Sequence, residues 1–222
     1  MKIFAFFIKS LLDFIFPKNP EVLVLEAMSS GKMLETLPRA ATTEKSDVVA
    51  LFDYSHPLVK EIIWQVKYDG NTTLADRLGE ILFDTIVEEL EERGILSNLS
   101  KSRSAILIPM PISGKRRFER GWNQAELLCQ AIKRSDTGNI LKYIPGQLVK
   151  FRHTESQTKT ANKSERRRNL EGSMRVLNPL SLAGRFVVLI DDVTTTGSTF
   201  AEARRALRES GVKKILCIAV AH

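Results

Sequence analysis

The residues with the most chemical content lie at positions 186 to 199, FVVLIDDVTTTGST. The continuous apolar run Phe186 to Ile190 predicts a buried parallel strand, and it ends in two adjacent carboxylates, Asp191 and Asp192. Thr194, Thr195, Thr196, Gly197, Ser198 and Thr199 follow, opening a helix from about Ser198 to Ser210 with Phe200, Ala203, Ala206 and Leu207 inward. Backbone N–H groups at a helix start, with Gly197 permitting close approach and hydroxyls alongside, make a site for a single phosphate. Carboxylates beside an anion site make sense if the ligand presents hydroxyls at one end and a phosphate at the other, as a phosphorylated sugar does. A plain helix cap would use one hydroxyl and leave the rest of the loop unexplained. No lysine follows the glycine as in a P-loop, and there is no G-x-G-x-x-G.

The net charge of +7 points to an anionic partner, and two segments hold it. Lys115 to Arg120 has four basic residues against one acid, and Lys150 to Arg168 has seven against two. A ligand with several phosphates, a single-stranded nucleic acid, or a merely solvated surface would each account for them. Tyr68 and Trp122 are available to stack on a base, although aromatics beside helices are more often core. The three histidines, His56, His153 and His222, are scattered and predict no metal triad.

These residues need elements to position them, and the chain alternates as a parallel sheet requires. Residues 48–54 (VVALFDY) predict a strand, and Pro57 starts a helix through Val66. Lys67 to Asn71 is a turn; a long helix then runs from a Thr73 cap through Leu74, Leu78, Ile81, Leu82, Ile86 and Leu90 to Gly94. Ala105 to Ile108 is a strand stopped by Pro109 and Pro111, and Asn123 caps a helix carrying Ala125, Leu128, Ala131 and Ile132. A weaker strand at Gln147 to Phe151 precedes a polar stretch, 152 to 172, that is long enough to be a lid. Ile215 to Val220 is a further buried strand. The fold class is α/β with a mainly parallel sheet, over residues 48–222. Residues 17–47 form a linker or small appendage, so 1–47 stand apart.

At the amino end, Phe4, Phe7, Ile8, Leu11, Leu12 and Ile15 share one side at helical spacing, which favours docking on the rest of the protein over lying on a membrane surface. Lys9 and Asp13 interrupt the run, so neither an export signal nor a transmembrane span is expected. With only Cys129 and Cys217 present, a reducing, cytoplasmic location is the simpler expectation.

The apolar run, Asp191-Asp192 and Thr194 to Thr199 resemble the signature for 5-phosphoribosyl 1-diphosphate (PRPP) of type I phosphoribosyltransferases. More narrowly, residues 48–222 resemble the ComF family of competence-associated, phosphoribosyltransferase-like proteins. Lys67-Tyr68-Asp69-Gly70, Pro109-Met110-Pro111 leading through Arg116 and Arg117 to Arg120-Gly121-Trp122-Asn123-Gln124-Ala125, and Thr154, Gln157, Glu165-Arg166 and Asn169-Leu170 carry that match.

The resemblance implies that Asp191 and Asp192 hold ribose hydroxyls, directly or around Mg²⁺, with Asp192 nearest the chemistry, while Thr195 to Thr199 cradle the 5-phosphate and Thr194 is counted with them as PRPP-binding. Met110 to Gly121, with Pro111, Arg117, Arg120 and Gly121, corresponds to the pyrophosphate loop, and residues 152–172 to the flexible loop. Lys67 and Tyr68 belong to the hood facing an unidentified acceptor. Phosphoribosyl transfer with release of diphosphate is the implied reaction, and a non-catalytic accessory role in DNA uptake, binding single-stranded DNA or a competence or recombination protein, is the alternative. Phe16-Pro17 is present where members often begin a zinc module, but no cysteine follows until Cys129, so no zinc is expected.

Overall fold

Short apolar runs rich in Val, Ile, Leu and Ala line up as five parallel strands in the computed structural model, which describes residues 20–41, 48–99, 104–151 and 172–222. The strands are β1 (Val48–Phe52), β2 (Ala105–Pro109), β3 (Leu141–Tyr143), β6 (Phe186–Val193) and β7 (Lys214–Ala221), in the order β1-β7-β6-β2-β3. The central strands β2 and β6 are buried along nearly their whole length, which explains why they read as unbroken apolar runs rather than alternating ones. Strands β4 (Leu148–Lys150) and β5 (Met174–Val176) pair antiparallel as a separate ribbon.

Successive side chains of β6 face opposite layers. Val188 and Ile190 pack with helices α3 (Pro57–Trp64), α4 (Thr72–Glu92) and α6 (Gln124–Ser135). Val187 and Leu189 pack with α7 (Ser198–Glu209) and with Leu148 and Met174 of the ribbon. Helices α4 and α6 touch so closely that a Cβ on Gly79 would lie 2.4 Å from that of Ala131, so glycine is required there for space.

Several elements differ from their sequence expectation. Residues 20–37 form two short helices, α1 (Pro20–Ala27) and α2 (Ser30–Thr36), and Leu25, Met33 and Leu37 enter the same core as the sheet. Each helix is too brief to produce a sustained period. The long helix α4 is capped by Asn71, whose side chain accepts from Leu74 N at 3.1 Å, and not by Thr73. Strand β3 has three residues, only Leu141 of them buried, and leaves no apolar run to find. The Gln147 to Phe151 strand is present as β4 but belongs to the ribbon. The segment expected as a basic loop after β2 winds into helix α5 (Gly114–Arg120), which buries nothing and is therefore invisible to hydrophobic periodicity. The amino-terminal amphipathic segment and residues 152–171 of the lid stretch, including His153, Thr154, Gln157, Glu165, Arg166, Asn169 and Leu170, lie outside the described residues. Among the described residues, no helix is long and apolar enough to cross a membrane.

Candidate functional site

From β2 the chain steps outward to β3 and then returns to β6 on the opposite side of β2. Such a reversal opens a crevice at the carboxyl ends of the two strands between which it occurs, where ligands bind in open α/β sheets. Here β2 leaves the ladder at Met110, whose N–H donates to Ile190 O at 2.8 Å, whereas β6 and β7 continue together to Val193 and Ala221. Asp191 and Asp192 thus stand on the stretch of β6 that has lost its β2 neighbour.

Both carboxylates are buried, and strand alternation sends them to different layers. Asp191 Oδ1 accepts from Asp192 N at 2.9 Å. Asp192 Oδ1 accepts from Gln124 Nε2 at 3.4 Å, and Lys67 Nζ lies 3.2 Å from Oδ2 in an ion pair. Burial, and then the neighbouring Asp192 charge, push the Asp191 carboxyl well above the usual carboxylate range. Burial also pushes Asp192 up, but the Lys67 ammonium and hydrogen bonds from Asp191 and Gln124 outweigh it and hold that carboxyl low. The two neighbouring carboxyls are thus pushed in opposite directions, Asp191 up and Asp192 down.

The hydroxyl loop follows at once. Thr194 is buried and its N–H donates to Ala221 O at 2.9 Å, extending the β6–β7 ladder by one step. Gly197 takes a left-handed φ of 70° at the start of α7, and the first helical bond is Ala201 N to Gly197 O. Among the described residues, the amides of Thr195, Thr196, Gly197 and Thr199 find no hydrogen-bond partner, while Thr196 Oγ1 and Ser198 Oγ bond each other. A Cβ on Gly197 would meet nothing within 4 Å, so glycine is required there by its left-handed φ and not by crowding. Unpaired amides at the positive end of a 12-residue helix are an anion site, one strand end away from the carboxylates.

Of the loop residues after β2, Pro111 is half-buried, Gly121 ends α5 at φ 81°, and the two arginines diverge. Arg117 is engaged by Glu126 at 2.6 Å, which raises its pKa. Arg120 donates to Gln124 Oε1 at 3.3 Å, and its guanidinium carbon lies 4.8 Å from the centre of the Tyr68 ring. Lys67 and Tyr68 sit on a π-helical turn, Gln65–Asp69, that ends at left-handed Gly70. Trp122 closes this turn onto the core: its indole N–H donates to Val66 O at 3.3 Å, and a Cβ on Gly70 would reach the ring at 3.2 Å. Trp122 is thus a packing residue, whereas Tyr68 is exposed.

Two residues at the site were not singled out for chemistry by sequence reasoning. Gln124 sits between Arg120 and Asp192, and its sequence signals are its place after the helix cap Asn123 and in the segment that resembles the ComF family, neither of which gave it a role. Lys150, expected only as part of a weak strand and of a basic segment, lies close enough to Asp191 and Arg116 to feel both; burial and then Arg116 lower its pKa.

Among the described residues no group of three or more His, Cys, Asp or Glu gathers as a metal cage. Two carboxylates, one with a buried oxygen lacking a hydrogen bond, instead suit a Mg²⁺ that arrives with most of its ligands already supplied by a polyphosphate.

A carboxylate pair and an anion nest at the switch point of a parallel sheet define a protein of the type I phosphoribosyltransferase-like fold, and the family model for the phosphoribosyl transferase domain matches residues 138–222. The DNA utilization protein YhgH of Escherichia coli is 31% identical over 76% of this chain and 68% of its own length. Competence protein F of Haemophilus influenzae is 36% identical over 49% of this chain and 46% of its own. The chain belongs to the ComF family of phosphoribosyltransferase-like proteins. Among solved structures, a Trypanosoma cruzi hypoxanthine phosphoribosyl transferase superposes with a TM-score of 0.41 at 13% identity, covering 65% of this chain and 63% of that one.

Proposed function

We propose that the protein binds PRPP in the crevice between β2 and β6 and transfers its phosphoribosyl group to an acceptor with release of diphosphate. The observation that carries this reading is the buried Asp191–Asp192 couple, with Lys67 and Gln124 against Asp192, immediately before a loop of unpaired amides. Asp191 and Asp192 take the ribose hydroxyls, and the Thr195 to Thr199 amides and hydroxyls take the 5-phosphate. Arg120, which has no carboxylate partner among the described residues and lies over Tyr68, receives the departing diphosphate, with Arg117 held back on Glu126. Asp191 and Asp192 would hold Mg²⁺ with PRPP, and the ion when bound neutralises diphosphate charge. Catalysis by these residues is orientation and electrostatic stabilisation, with the acceptor approaching beside Lys67 and Tyr68. Calorimetric titration with PRPP and Mg²⁺ tests the site: wild type is expected to bind, and Asp191→Asn/Asp192→Asn to lose at least about 100-fold in affinity, as for a buried hydrogen-bonding site stripped of its charges. Equal affinities would eliminate the site.

A second reading rests on a different surface. Helix α5 presents Lys115, Arg116 and Phe118, the last 93% exposed, near Arg120 and the exposed Tyr68–Trp64 pair, whose ring centres lie 5.5 Å apart. Exposed aromatics among cations form a stacking platform for single-stranded nucleic acid, in keeping with relatives named for DNA utilization and competence. Single-strand affinity is expected to fall with salt at a slope of about −0.7 per phosphate neutralised, and Phe118→Ala to cost about 1–3 kcal/mol. A flat salt response in fluorescence anisotropy would remove this reading.

A further inference from the structure

Gln124 joins the two halves of the site. Its amide N–H donates to Asp192 Oδ1 at 3.4 Å, and its carbonyl accepts from Arg120 Nη1 at 3.3 Å. The side chain is buried, so these two groups are its polar surroundings in place of water. The amide orientation follows from the charges at its ends: a flipped amide would aim NH₂ at a guanidinium and C=O at a carboxylate. Arg120 therefore sets which way Gln124 points, and Gln124 in turn sets where Asp192 points. The chain of contacts closes on itself, because Arg120 also lies over Tyr68, the residue next to Lys67, and Lys67 pairs with Asp192.

The neighbouring Asn123 provides the contrast. Its side chain donates to Met110 O and accepts from Ala125 N, both at 3.0 Å, and so pins the loop after β2 to the start of α6. That is a structural staple of ordinary hydrogen-bond length. The Gln124 contacts lie beyond the usual ~2.7–3.2 Å range for N–H···O bonds and are individually weak and displaceable. A residue that only held the fold together would be expected to bond as Asn123 does. One that can yield when ligand arrives should bond as Gln124 does.

We infer that Gln124 is a positioning residue that couples the diphosphate-facing Arg120 to the ribose-facing Asp192, so that each half of the ligand is bound better when the other half's residue is in place. This inference rests on the proposed PRPP site and deepens it, since it makes the two subsites energetically dependent through one amide.

The test titrates two probes separately, ribose 5-phosphate and inorganic diphosphate, against wild type, Arg120→Met, Gln124→Met and the double variant. Although Arg120 faces the diphosphate half, Arg120→Met is expected to weaken ribose 5-phosphate as well, about three- to tenfold, the range typical of residues coupled through a shared contact. In the Gln124→Met background, Arg120→Met should have no further effect on ribose 5-phosphate but should still weaken diphosphate. A purely structural role for Gln124 would not produce this selective loss of dependence. Gln124→Glu gives a second arm should the methionine variant fail to fold, because an acid in the first turn of α6 suits the helix dipole and keeps a partner for Arg120. A carboxylate facing Asp192 should cost more ribose 5-phosphate affinity than diphosphate affinity. Additive losses in the cycle, or equal losses of both probes in Gln124→Glu, would overturn the inference alone. Failure of wild type to bind either probe would overturn the PRPP reading and this inference with it.

Discussion

Replacing Asp191 with asparagine is expected to make the protein more stable while weakening its affinity for PRPP. The Asp191 carboxyl is buried, faces the charge of Asp192, and has its pKa pushed up by both. A group whose folded pKa is raised holds its proton longer in the native state than in the unfolded chain. Stability therefore falls as pH climbs from the ordinary aspartate value of 3.8 toward the raised one. Asparagine keeps an oxygen for Asp192 N–H but carries no charge, so the pH dependence above that value should flatten. The gain near neutrality is expected to be about 1–2 kcal/mol, a few degrees in Tm. Thermal melts between pH 4 and 8 in the presence of a chelator, paired with PRPP titration, check both halves. A lowered Tm together with unchanged affinity would make Asp191 an ordinary structural residue. Asp192 has the opposite sign: its lowered pKa contributes stability above the ordinary value, and that contribution is lost as pH falls below it.

The second large effect belongs to Lys67. Its ammonium is 3.2 Å from Asp192 and is the cation that keeps the buried anion low in pKa. Lys67→Met leaves two buried carboxyls with no ammonium beside Asp192. Breaking a fully buried pair in this way costs ~3–5 kcal/mol. Because 25% of the Lys67 side chain is exposed, water replaces part of the loss, and about 2–3 kcal/mol is expected, roughly 5–10 °C in Tm. Without Lys67 the pair should retain protons to higher pH, so the destabilisation should grow as pH rises and shrink toward pH 4. Urea unfolding of both proteins across that range measures it. A penalty that does not change with pH would mean that Lys67 acts through its methylene packing rather than its charge.

Lys67 and Gln124 show where the sequence stops being informative about this site. Nothing in the turn Lys67 to Gly70 indicates that its lysine reaches a carboxylate 125 residues further along. That pairing exists because Trp122 clamps the turn over the carboxyl ends of β2 and β6. The divergence of Arg117 and Arg120 is likewise tertiary: α5 buries no residue, and Glu126 and Gln124 on α6, with Tyr68 beside Arg120, decide where each guanidinium goes.

The linear order of residues was sufficient for what depends on local periodicity and on groups adjacent in the chain. Continuous apolar runs announced β2, β6 and β7, because strands buried on both faces admit no polar alternation. Asp191, Asp192 and the hydroxyl loop made a site for a phosphorylated sugar the expectation, because one strand end and one helix start bring them together in the chain. The short helices α1 and α2 and the three-residue β3 stayed hidden, since elements of one or two turns set no measurable period. Only the tertiary structure decided that the two carboxyls are pushed in opposite directions, that Arg117 pairs with Glu126 while Arg120 lies over Tyr68, and that a single glutamine joins Arg120 to Asp192. Each of those properties depends on burial and on charges brought together by segments far apart in the chain.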